Sequence, residues 1–306
     1  VAYRWFIGYS LTEKIPHFST VSYNFLHRFD SDMFEQIFTI VLNEGIDSGY
    51  VKPNVIFVDA THIKANANKK KQMKVHVPKA VKIYEEQLHK EIDEDRDDHD
   101  KKPLKDKEEK EELVEKTVST TDPESGFMHR DGKPKGFFYL DHRTVDSKCN
   151  IITDTFVTPG NVNDVKPYIG RLKYQMDTFG LKVETGGLDA GYNTSAICKM
   201  LLEDLKLQAA MGKRRGCQQK GKYGKYKFTY IPDWDVYICP ERNYLEYVTT
   251  DRNGYREYKC KNDRCANCPR RGECLSEKQK TKSLRRHVWE DYRDAVYIFT
   301  RTEEGK

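Results

Sequence analysis

The chain has 306 residues, 33% of them charged, with a mean hydropathy of −0.82. This length allows one large domain or two ordinary ones, and no apolar run approaches the length of a membrane span, which predicts a soluble protein. The chain starts with a valine and aromatic residues, without the basic head and long apolar block of a signal peptide. We therefore expect no signal peptide, and a start inside a longer reading frame.

The net charge of +5 is unevenly distributed. Residues 79–116 contain 15 acidic and 10 basic side chains, so the rest of the chain carries about +10. A basic body with an acidic segment indicates a polyanionic partner, with a lysine-rich solvated surface as the alternative.

The first 50 residues are predicted to be helical. Apolar residues recur at helical spacing from Phe34 to Val41, Ser19 or Thr20 is the expected N-cap, and Gly45 the expected end. A short buried strand, Val55–Val58, follows and ends at Asp59. Residues 79–117 then read as a charged helical hairpin with a structural or inter-subunit role.

Strand patterns return at Gly136 and alternate with helical ones. Residues 136–146, 151–160 and 182–192 are three strand-like runs, residues 193–206 a helix capped by Asn193 or Thr194, and residues 207–214 another strand. A further helix starts near Trp289. This alternation predicts an α/β layered domain.

Two aspartates, Asp59 and Asp189, each follow a predicted strand. Carboxylates at the ends of separate strands suit a two-metal phosphoryl-transfer site, because Mg²⁺ takes oxygen ligands and paired ions stabilise both attacking and leaving oxygens. Taken alone, an aspartate at the end of a strand is more often a turn former or a helix cap.

Three motifs in order carry a resemblance to a known family. They are "VDATHIKANANKKK" at Asp59, "VTPGNVNDVKPY" before residue 169, and "GLDAGYNT" at Asp189. The ordered set resembles bacterial insertion-sequence transposases of the DDE superfamily, over almost the whole chain. The resemblance implies a cytoplasmic, nucleoid-associated bacterial protein.

The resemblance also implies a fold and a site. The expected fold is α/β: a ribonuclease H-like core with a mixed sheet and flanking helices, a helical N-terminal region, the charged hairpin and a Cys-rich insertion. Asp59 and Asp189 match the two metal-binding aspartates, with Mg²⁺ or Mn²⁺ as cofactor. Thr61, His62 and Lys64 fall in a loop beside the DNA, whereas Asp164 is expected to fix a turn or face the edge of the site.

The expected domains are residues 1–50 (helical transposase region), 51–212 (DDE core), 213–282 (basic, Cys-rich insertion) and 283–306 (start of the C-terminal core helices). The family's third acid, a glutamate in a Val-Glu-Arg-like pattern, has no counterpart here. Glu290, Glu303 and Glu304 lack the pattern and read as ordinary helix charges. We therefore expect a chain truncated before the catalytic glutamate.

Five of the eight cysteines fall between residues 239 and 274. A CxxC pair with a third cysteine shortly after it suggests structural Zn²⁺ on Cys239, Cys265, Cys268 and Cys274, with Cys260 as substitute. Reduced, partly buried thiols are the alternative.

Two clusters of cations are candidates for binding DNA phosphates. One follows the first strand: Lys64, Lys69, Lys70 and Lys71. The other begins at Lys213, Arg214 and Arg215, where aromatic rings interleave with lysines and offer stacking surfaces. A flexible, solvated loop is the alternative for the second cluster.

The sequence therefore predicts a DDE transposase fragment that binds element ends and target DNA and is itself inactive. The intact protein would cleave phosphodiesters, transfer strands and act as a homo-oligomer. A metal-dependent nuclease of the same fold and a non-enzymatic zinc-containing DNA-binding module are the alternatives.

Overall fold

The computed structural model describes residues 2–6, 8–29, 31–78, 84–105, 113–129, 134–213 and 221–306. The strands in these ranges are β1 (Val55–Lys64), β2 (Gln72–Pro78), β3 (Leu113–Ser119), β4 (Gly126–Met128), β5 (Gly136–Asp146), β6 (Ile152–Pro159), β7 (Thr185–Leu188), β8 (Gln208–Met211), β9 (Thr229–Ile231), β10 (Val236–Ile238), β11 (Tyr244–Thr250), β12 (Tyr255–Cys260) and β13 (Ser283–His287). The α-helices are α1 (Ala2–Phe6), α2 (Phe18–His27), α3 (Ser31–Asp47), α4 (Glu85–Asp98), α5 (Val165–Phe179), α6 (Ser195–Lys199), α7 (Asn262–Ala266), α8 (Arg271–Cys274) and α9 (Glu290–Phe299).

The central sheet is mixed and six-stranded. Its order is β4-β5-β1-β7-β8, and β6 also pairs with β5. Strand β4 pairs with residues 136–138 of β5, and β6 pairs with residues 139–145. Strands β1, β7 and β8 run parallel, while β5 is antiparallel to both β1 and β6. The parallel pairings place Val58, the last residue of β1 that pairs with β7, beside the carboxyl ends of β7 and β8.

The main core lies between this sheet and helices α5, α6 and α9. Its fully buried members include Ile56, Leu172, Ile197, Leu201 and Val296. Thr194 caps α6, since its hydroxyl accepts a hydrogen bond from the Ile197 amide at 3.3 Å. The predicted α/β layering is therefore present in the described residues.

The N-terminal region is helical, as predicted, but it is divided differently. Helix α2 begins at Phe18 with His17 as its N-cap, where the His17 ring accepts from the Ser19 amide. Helix α3 runs through Gly45 to Asp47. Many large apolar side chains of these helices are exposed, including Phe18 at 76% and Leu26 at 72%.

The predicted charged helical hairpin is only half correct. Its first arm is α4, with Leu88 and Ile92 buried, whereas the described end of the second arm is strand β3, paired antiparallel with β2. Residues 79–83 and 106–112, which belong to the predicted hairpin, lie outside the described residues. In β2, Met73, Val75 and Val77 alternate with polar residues at the period of a strand, and in β3 the β-branched Val114, Thr117 and Val118 favour the same conformation.

The Cys-rich insertion is an antiparallel sheet of order β13-β12-β11-β10-β9. It includes Ser283–His287, which the predicted boundary at residue 282 leaves outside the insertion. Tyr237, Leu245 and Tyr258 are buried at its centre. Helix α9 then returns to the central sheet, where the Thr300 hydroxyl donates to the Met211 carbonyl at 3.3 Å and accepts from the Met211 amide at 3.0 Å.

Two partly buried contacts, which we call the clasp, join helix α4 and its C-cap residue His99 to the insertion sheet. Arg256 donates through Nε to Asp95 Oδ1 at 2.6 Å, and His99 Nε2 donates to Asp235 Oδ2 at 2.8 Å. Asp95 is 6% exposed, and the His99 ring stacks on Tyr247 at 3.7 Å. Among the described residues, no helix has the length and apolar character needed to cross a membrane.

Candidate active site

Asp59 and Asp189 occupy neighbouring positions on adjacent parallel strands. The last paired residues of β1 and β7 are Val58 and Leu188, and each aspartate is the next residue of its chain. Parallel neighbours lie about 5 Å apart between Cα atoms, so the sheet brings the two aspartates together. Val58 and Leu188 are both buried at 8% exposure, whereas both aspartates are exposed at the sheet edge.

Each aspartate uses one carboxylate oxygen to order its own backbone. Asp59 Oδ1 accepts from the Ala60 amide at 2.8 Å, and Asp189 Oδ1 accepts from the Gly191 amide at 2.6 Å. The second oxygen of each carboxylate points to no described hydrogen-bond partner. This leaves one oxygen on each of two adjacent side chains for an external cation.

A buried tyrosine lies behind the two carboxylates. Tyr192 is 1% exposed, and the described residues give its hydroxyl no hydrogen-bond partner. Burial raises the pKa of this hydroxyl, and the carboxylates of Asp164, Asp189 and Asp59 raise it further. All three carboxylates are therefore within electrostatic reach of one hydroxyl.

Asp164 lies at the edge of this site, immediately before α5. Its side chain makes no capping hydrogen bond to the helix, and its Oδ1 atom is buried without a described partner. The turn is instead ordered by Asn163, whose Oδ1 accepts from the Val165 amide at 3.1 Å. Asp164 is thus a third carboxylate near the strand ends, and it is not used to make the turn.

The donor chemistry of Asp59 and Asp189 fits a divalent cation such as Mg²⁺, which prefers hard oxygen ligands and keeps several waters. Among the described residues, no group of three or more His, Cys, Asp or Glu side chains is arranged to hold a metal ion. The site therefore offers two protein ligands at adjacent positions.

Thr61, His62 and Lys64 were expected in a loop, and that prediction is wrong. They belong to β1, which continues beside β5 as far as the Lys64–Phe138 pair. The strand loses its β7 partner after Val58, but the eleven-residue β5 supplies a ladder for six further residues. At about 3.3 Å per residue, Lys64 lies about 17 Å along the strand from Asp59.

The lysines after β1 lie in an ordered, exposed turn. Lys69, Lys70 and Lys71 are all exposed. The turn is held by the Asn68 carboxamide, which accepts from the Lys70 amide at 3.0 Å, and by the Lys71 carbonyl, which accepts from the Thr120 amide at 3.1 Å. A cationic turn with its backbone fixed in this way presents three positive charges to solvent.

The second basic cluster is partly paired within the protein. Lys213 donates to Asp294 Oδ1 at 3.3 Å and lies over the Tyr297 ring, 5.0 Å from its centroid. Arg214 and Arg215 lie outside the described residues. Lys225, further along, donates to Glu290 Oε1 at 3.3 Å.

Four of the five clustered cysteines pack in the core of the insertion, namely Cys239, Cys260, Cys265 and Cys274. Cys260 and Cys265 are buried there, and the partly buried Cys239 and Cys274 pack against the same cluster. Burial, with Cys265 beside it, raises the pKa of Cys260 to about 12, and burial also raises that of Cys274. The thiols pack together, but they do not form a described metal-binding group, so the zinc prediction is not supported.

The glutamates considered for the third acid have different surroundings. Glu303 and Glu304 are exposed. Glu290 is 5% exposed, and its carboxylate accepts from Lys225 and from Arg293, at 3.2 Å in the latter case. Glu290 is thus buried and paired with two cations. The prediction that it is an ordinary solvated helix charge is wrong.

Sequence reasoning missed the contacts behind Asp189. It treated Asn193 as a possible helix cap and assigned no role to Arg293. In the structure, Arg293 Nε donates to Asn193 Oδ1 at 3.0 Å, and Asn193 Nδ2 donates to the Gly212 carbonyl at 3.2 Å. The only available sequence signal was Asn193 itself, an amide within the motif that follows Asp189.

Comparison with known proteins identifies one part of the chain. Residues 238–306 match the family described as Transposase DDE domain. This region belongs to a transposase family. The match covers the cysteine cluster, the last strands of the insertion and α9, and does not extend to Asp59 or Asp189. No curated protein matches the chain, and no solved structure does.

The family match at residues 238–306 has implications for fold and partner. A DDE domain implies a ribonuclease H-like fold, and the mixed sheet with flanking helices agrees with it. A transposase family also implies DNA as a partner and divalent metal as its usual cofactor.

Proposed function

We propose that the chain is part of a DDE transposase of a bacterial insertion sequence, and that Asp59 and Asp189 are its first two metal-binding carboxylates. One observation carries the proposal: both aspartates follow directly on the last paired residues of two adjacent parallel strands. Their free oxygens suit Mg²⁺ or Mn²⁺. When bound, such ions activate an attacking oxygen and stabilise the leaving one in phosphoryl transfer.

The surrounding residues have supporting roles in the proposal. Lys64 on β1 and Lys69, Lys70 and Lys71 in the following turn neutralise backbone phosphates of the element end, and the segment starting at Lys213, Arg214 and Arg215 adds further cationic charge. Tyr192 fills the space behind the carboxylates and excludes water from it. The N-terminal helices bind DNA or a second copy of the protein.

The proposal also concerns what this chain does alone. Glu290 is paired with two cations, and Glu303 and Glu304 lack the family pattern. In this proposal, residues 1–306 therefore provide two acids of the expected three. A two-ion site that lacks a ligand loses much of its positioning and charge stabilisation. We therefore expect DNA binding together with very weak or undetectable cleavage.

Metal binding tests the proposal independently of activity. Mn²⁺ titrations, followed by electron paramagnetic resonance, are expected to show binding to the 306-residue chain that Asp59→Asn and Asp189→Asn each abolish. Asp233→Asn, an exposed aspartate in the insertion, is the matched control and should bind as wild type. Unchanged Mn²⁺ binding in both site variants would overturn the assignment.

DNA assays separate the alternatives. Nicking of supercoiled plasmid without joined product indicates a nuclease, and DNA binding with no loss of any activity in the two variants indicates a non-enzymatic module. Zinc on Cys239, Cys265, Cys268 and Cys274 is a separate prediction on which no step depends. Metal analysis of purified protein and of Cys268→Ser tests it.

A further inference from the structure

The side chain of Arg293 connects α9 to the loop that carries Asp189. Arg293 Nε donates to Asn193 Oδ1 at 3.0 Å, and Arg293 Nη1 donates to Glu290 Oε2 at 3.2 Å. The guanidinium therefore spans two acceptors, one in the loop after β7 and one on its own helix. Arg293 and Asn193 are 100 positions apart in the chain.

Asn193 connects Arg293 to the end of strand β8. Its side chain is largely buried, at 8% exposure, and its amide nitrogen donates to the Gly212 carbonyl just after β8 at 3.2 Å. Because the oxygen and the nitrogen of the Asn193 side chain both form hydrogen bonds, its orientation is fixed by Arg293 on one side and by Gly212 on the other. The loop from Asp189 to Asn193 is thereby held at its far end.

The near end of the same loop holds the carboxylate. The Gly191 amide donates to Asp189 Oδ1 at 2.6 Å, and the Tyr192 amide donates to the Asp189 carbonyl at 3.2 Å. A shift of Asn193 moves Tyr192 and Gly191, and the Gly191 amide is the group that holds the Asp189 carboxylate.

Arg293 is itself held in place by the carboxylate of Glu290. Glu290 is buried, and it also accepts from Lys225 of the insertion at 3.3 Å. Burial alone would raise the pKa of Glu290, but Lys225 and Arg293 lower it overall, so the carboxylate stays charged beside the guanidinium. A charged, buried partner restricts Arg293 to one arrangement.

We propose that Arg293 is a positioning residue for the Asp189 carboxylate and acts through Asn193. The inference rests on the proposed function, because it concerns the orientation of a carboxylate assigned there to metal binding. Lysine is a poor substitute, since a single ammonium group does not reproduce the planar fork that reaches Asn193 and Glu290 together.

The test uses the full 306-residue chain with Mn²⁺ as probe. Residues that orient a metal ligand typically contribute 10–100-fold to metal affinity. We expect Arg293→Met to weaken Mn²⁺ binding about tenfold, and Arg293→Lys to weaken it less. The control is Arg285→Met, an arginine of the insertion sheet that pairs with Asp251 and should bind Mn²⁺ as wild type.

A second readout follows the loop directly. The amide resonance of Gly191 reports its hydrogen bond to Asp189, and we expect it to shift in Arg293→Met but not in Arg285→Met. A purely structural role would lower the melting temperature without moving this resonance or the Mn²⁺ affinity. Wild-type affinity together with an unshifted Gly191 resonance in folded Arg293→Met would overturn the inference.

The remaining outcomes are also decisive. If Arg293→Met does not fold, Arg293→Lys keeps a cation beside Glu290, and wild-type values for that variant overturn the inference. If the wild-type chain binds no Mn²⁺, the proposed function fails, while the Gly191 resonance still tests the link from Arg293 to Asp189.

Discussion

Asp146 is the most heavily hydrogen-bonded carboxylate among the described residues. It is fully buried at the end of β5, where Oδ2 accepts from the Lys52, Lys148 and Cys149 amides at 3.1, 2.9 and 3.2 Å, and Oδ1 from Ile151 at 2.7 Å. Burial raises the pKa of this carboxyl, but the four backbone hydrogen bonds outweigh it, and the net shift is downward. Asp146 thus closes the β5–β6 turn and fixes the chain before β1.

The lowered pKa predicts the direction of a pH effect. The stabilisation from ionised Asp146 is fully present above the unfolded-state pKa of about 4 and is lost as pH falls through the lower folded-state value. Asp146→Asn should reduce the free energy of unfolding at pH 7 by about 1–3 kcal/mol, because it leaves buried amides poorly paired. It should also flatten the acid limb of the stability profile.

Urea unfolding between pH 3 and 7 checks this prediction. Asp233→Asn serves as the exposed control and should follow the wild-type profile. A variant whose stability at pH 7 equals that of wild type would contradict the role assigned to Asp146.

Tyr192 and Tyr258 provide a matched pair of buried hydroxyls. Tyr192 has no described partner, whereas Tyr258 donates to Asp235 Oδ1 at 2.6 Å. Removing an unpartnered hydroxyl relieves a desolvation cost, and removing a partnered one leaves a carboxylate short of a donor. Tyr192→Phe should therefore be neutral or stabilise by up to about 1 kcal/mol, and Tyr258→Phe should destabilise by about 1–3 kcal/mol.

Chemical denaturation of the two phenylalanine variants, measured side by side, tests the contrast. Equal losses of stability would mean that the Tyr192 hydroxyl does find a partner, and the space behind the carboxylates would need another description.

At the scale of elements, the clasp joins α4 to the insertion sheet, two segments distant in the chain. Asp95 is buried against Arg256, and the Thr250 hydroxyl also donates to it at 2.5 Å. Arg256→Met leaves that carboxylate buried without its cation and should cost about 3–5 kcal/mol of unfolding free energy. The double variant Asp95→Asn/Arg256→Met should cost less, and urea unfolding of both measures the difference.

The matched control is Lys90→Met, which removes a cation from an exposed α4 pair with Glu94 and should change stability by less than about 1 kcal/mol. A loss in Arg256→Met no larger than in Lys90→Met would show that the clasp is not a stabilising contact.

Periodicity predicted the strands whose own sequences carry a clear pattern, whatever the distance to their partners in the chain. Strands β5, β6 and β8 and the start of β7 alternate or run apolar between turn residues, so the sequence located them. The β2–β3 ribbon was missed because Gln72–Pro78 pairs with Leu113–Ser119 across the whole of α4. The abundance of lysine and glutamate there favoured a helix, although the valines alternate.

The same limit applies to the candidate site. Asp59 and Asp189 stand within recognisable motifs, and the pairing of their strands makes them neighbours. Asn193 also stands in the Asp189 motif, but Arg293 carries no such mark, because their contact depends on α9 returning to the sheet after the insertion. The continuation of β1 past Asp59 was also hidden, since its support comes from the length of β5.

At the scale of the whole molecule, the separation of charge predicts how DNA binding responds to salt. Each phosphate contact contributes about −0.9 to the slope of log K against log salt concentration on duplex DNA. Replacing Lys69, Lys70 and Lys71 together by glutamine should weaken binding for all sequences and make the slope shallower by about 2–3. Lys90→Gln, on the acidic helix α4, is the control.

Fluorescence anisotropy with labelled duplexes at several salt concentrations gives the slopes. An unchanged slope in the triple variant would remove the turn after β1 from the DNA surface and leave Lys64 and the segment starting at Lys213 as candidates.

The clasp has a mechanical consequence. The contact between Asp95 and Arg256 joins residues that are 161 positions apart, so it closes a non-covalent ring of the chain. Strands β5, β6, β7 and β8 belong to this ring. Asp189 lies inside this ring and Asp59 outside it, on a strand that leads toward the N-terminus. A pull on the N-terminus would therefore peel β1 from β7 and part the two aspartates while the ring stayed shut.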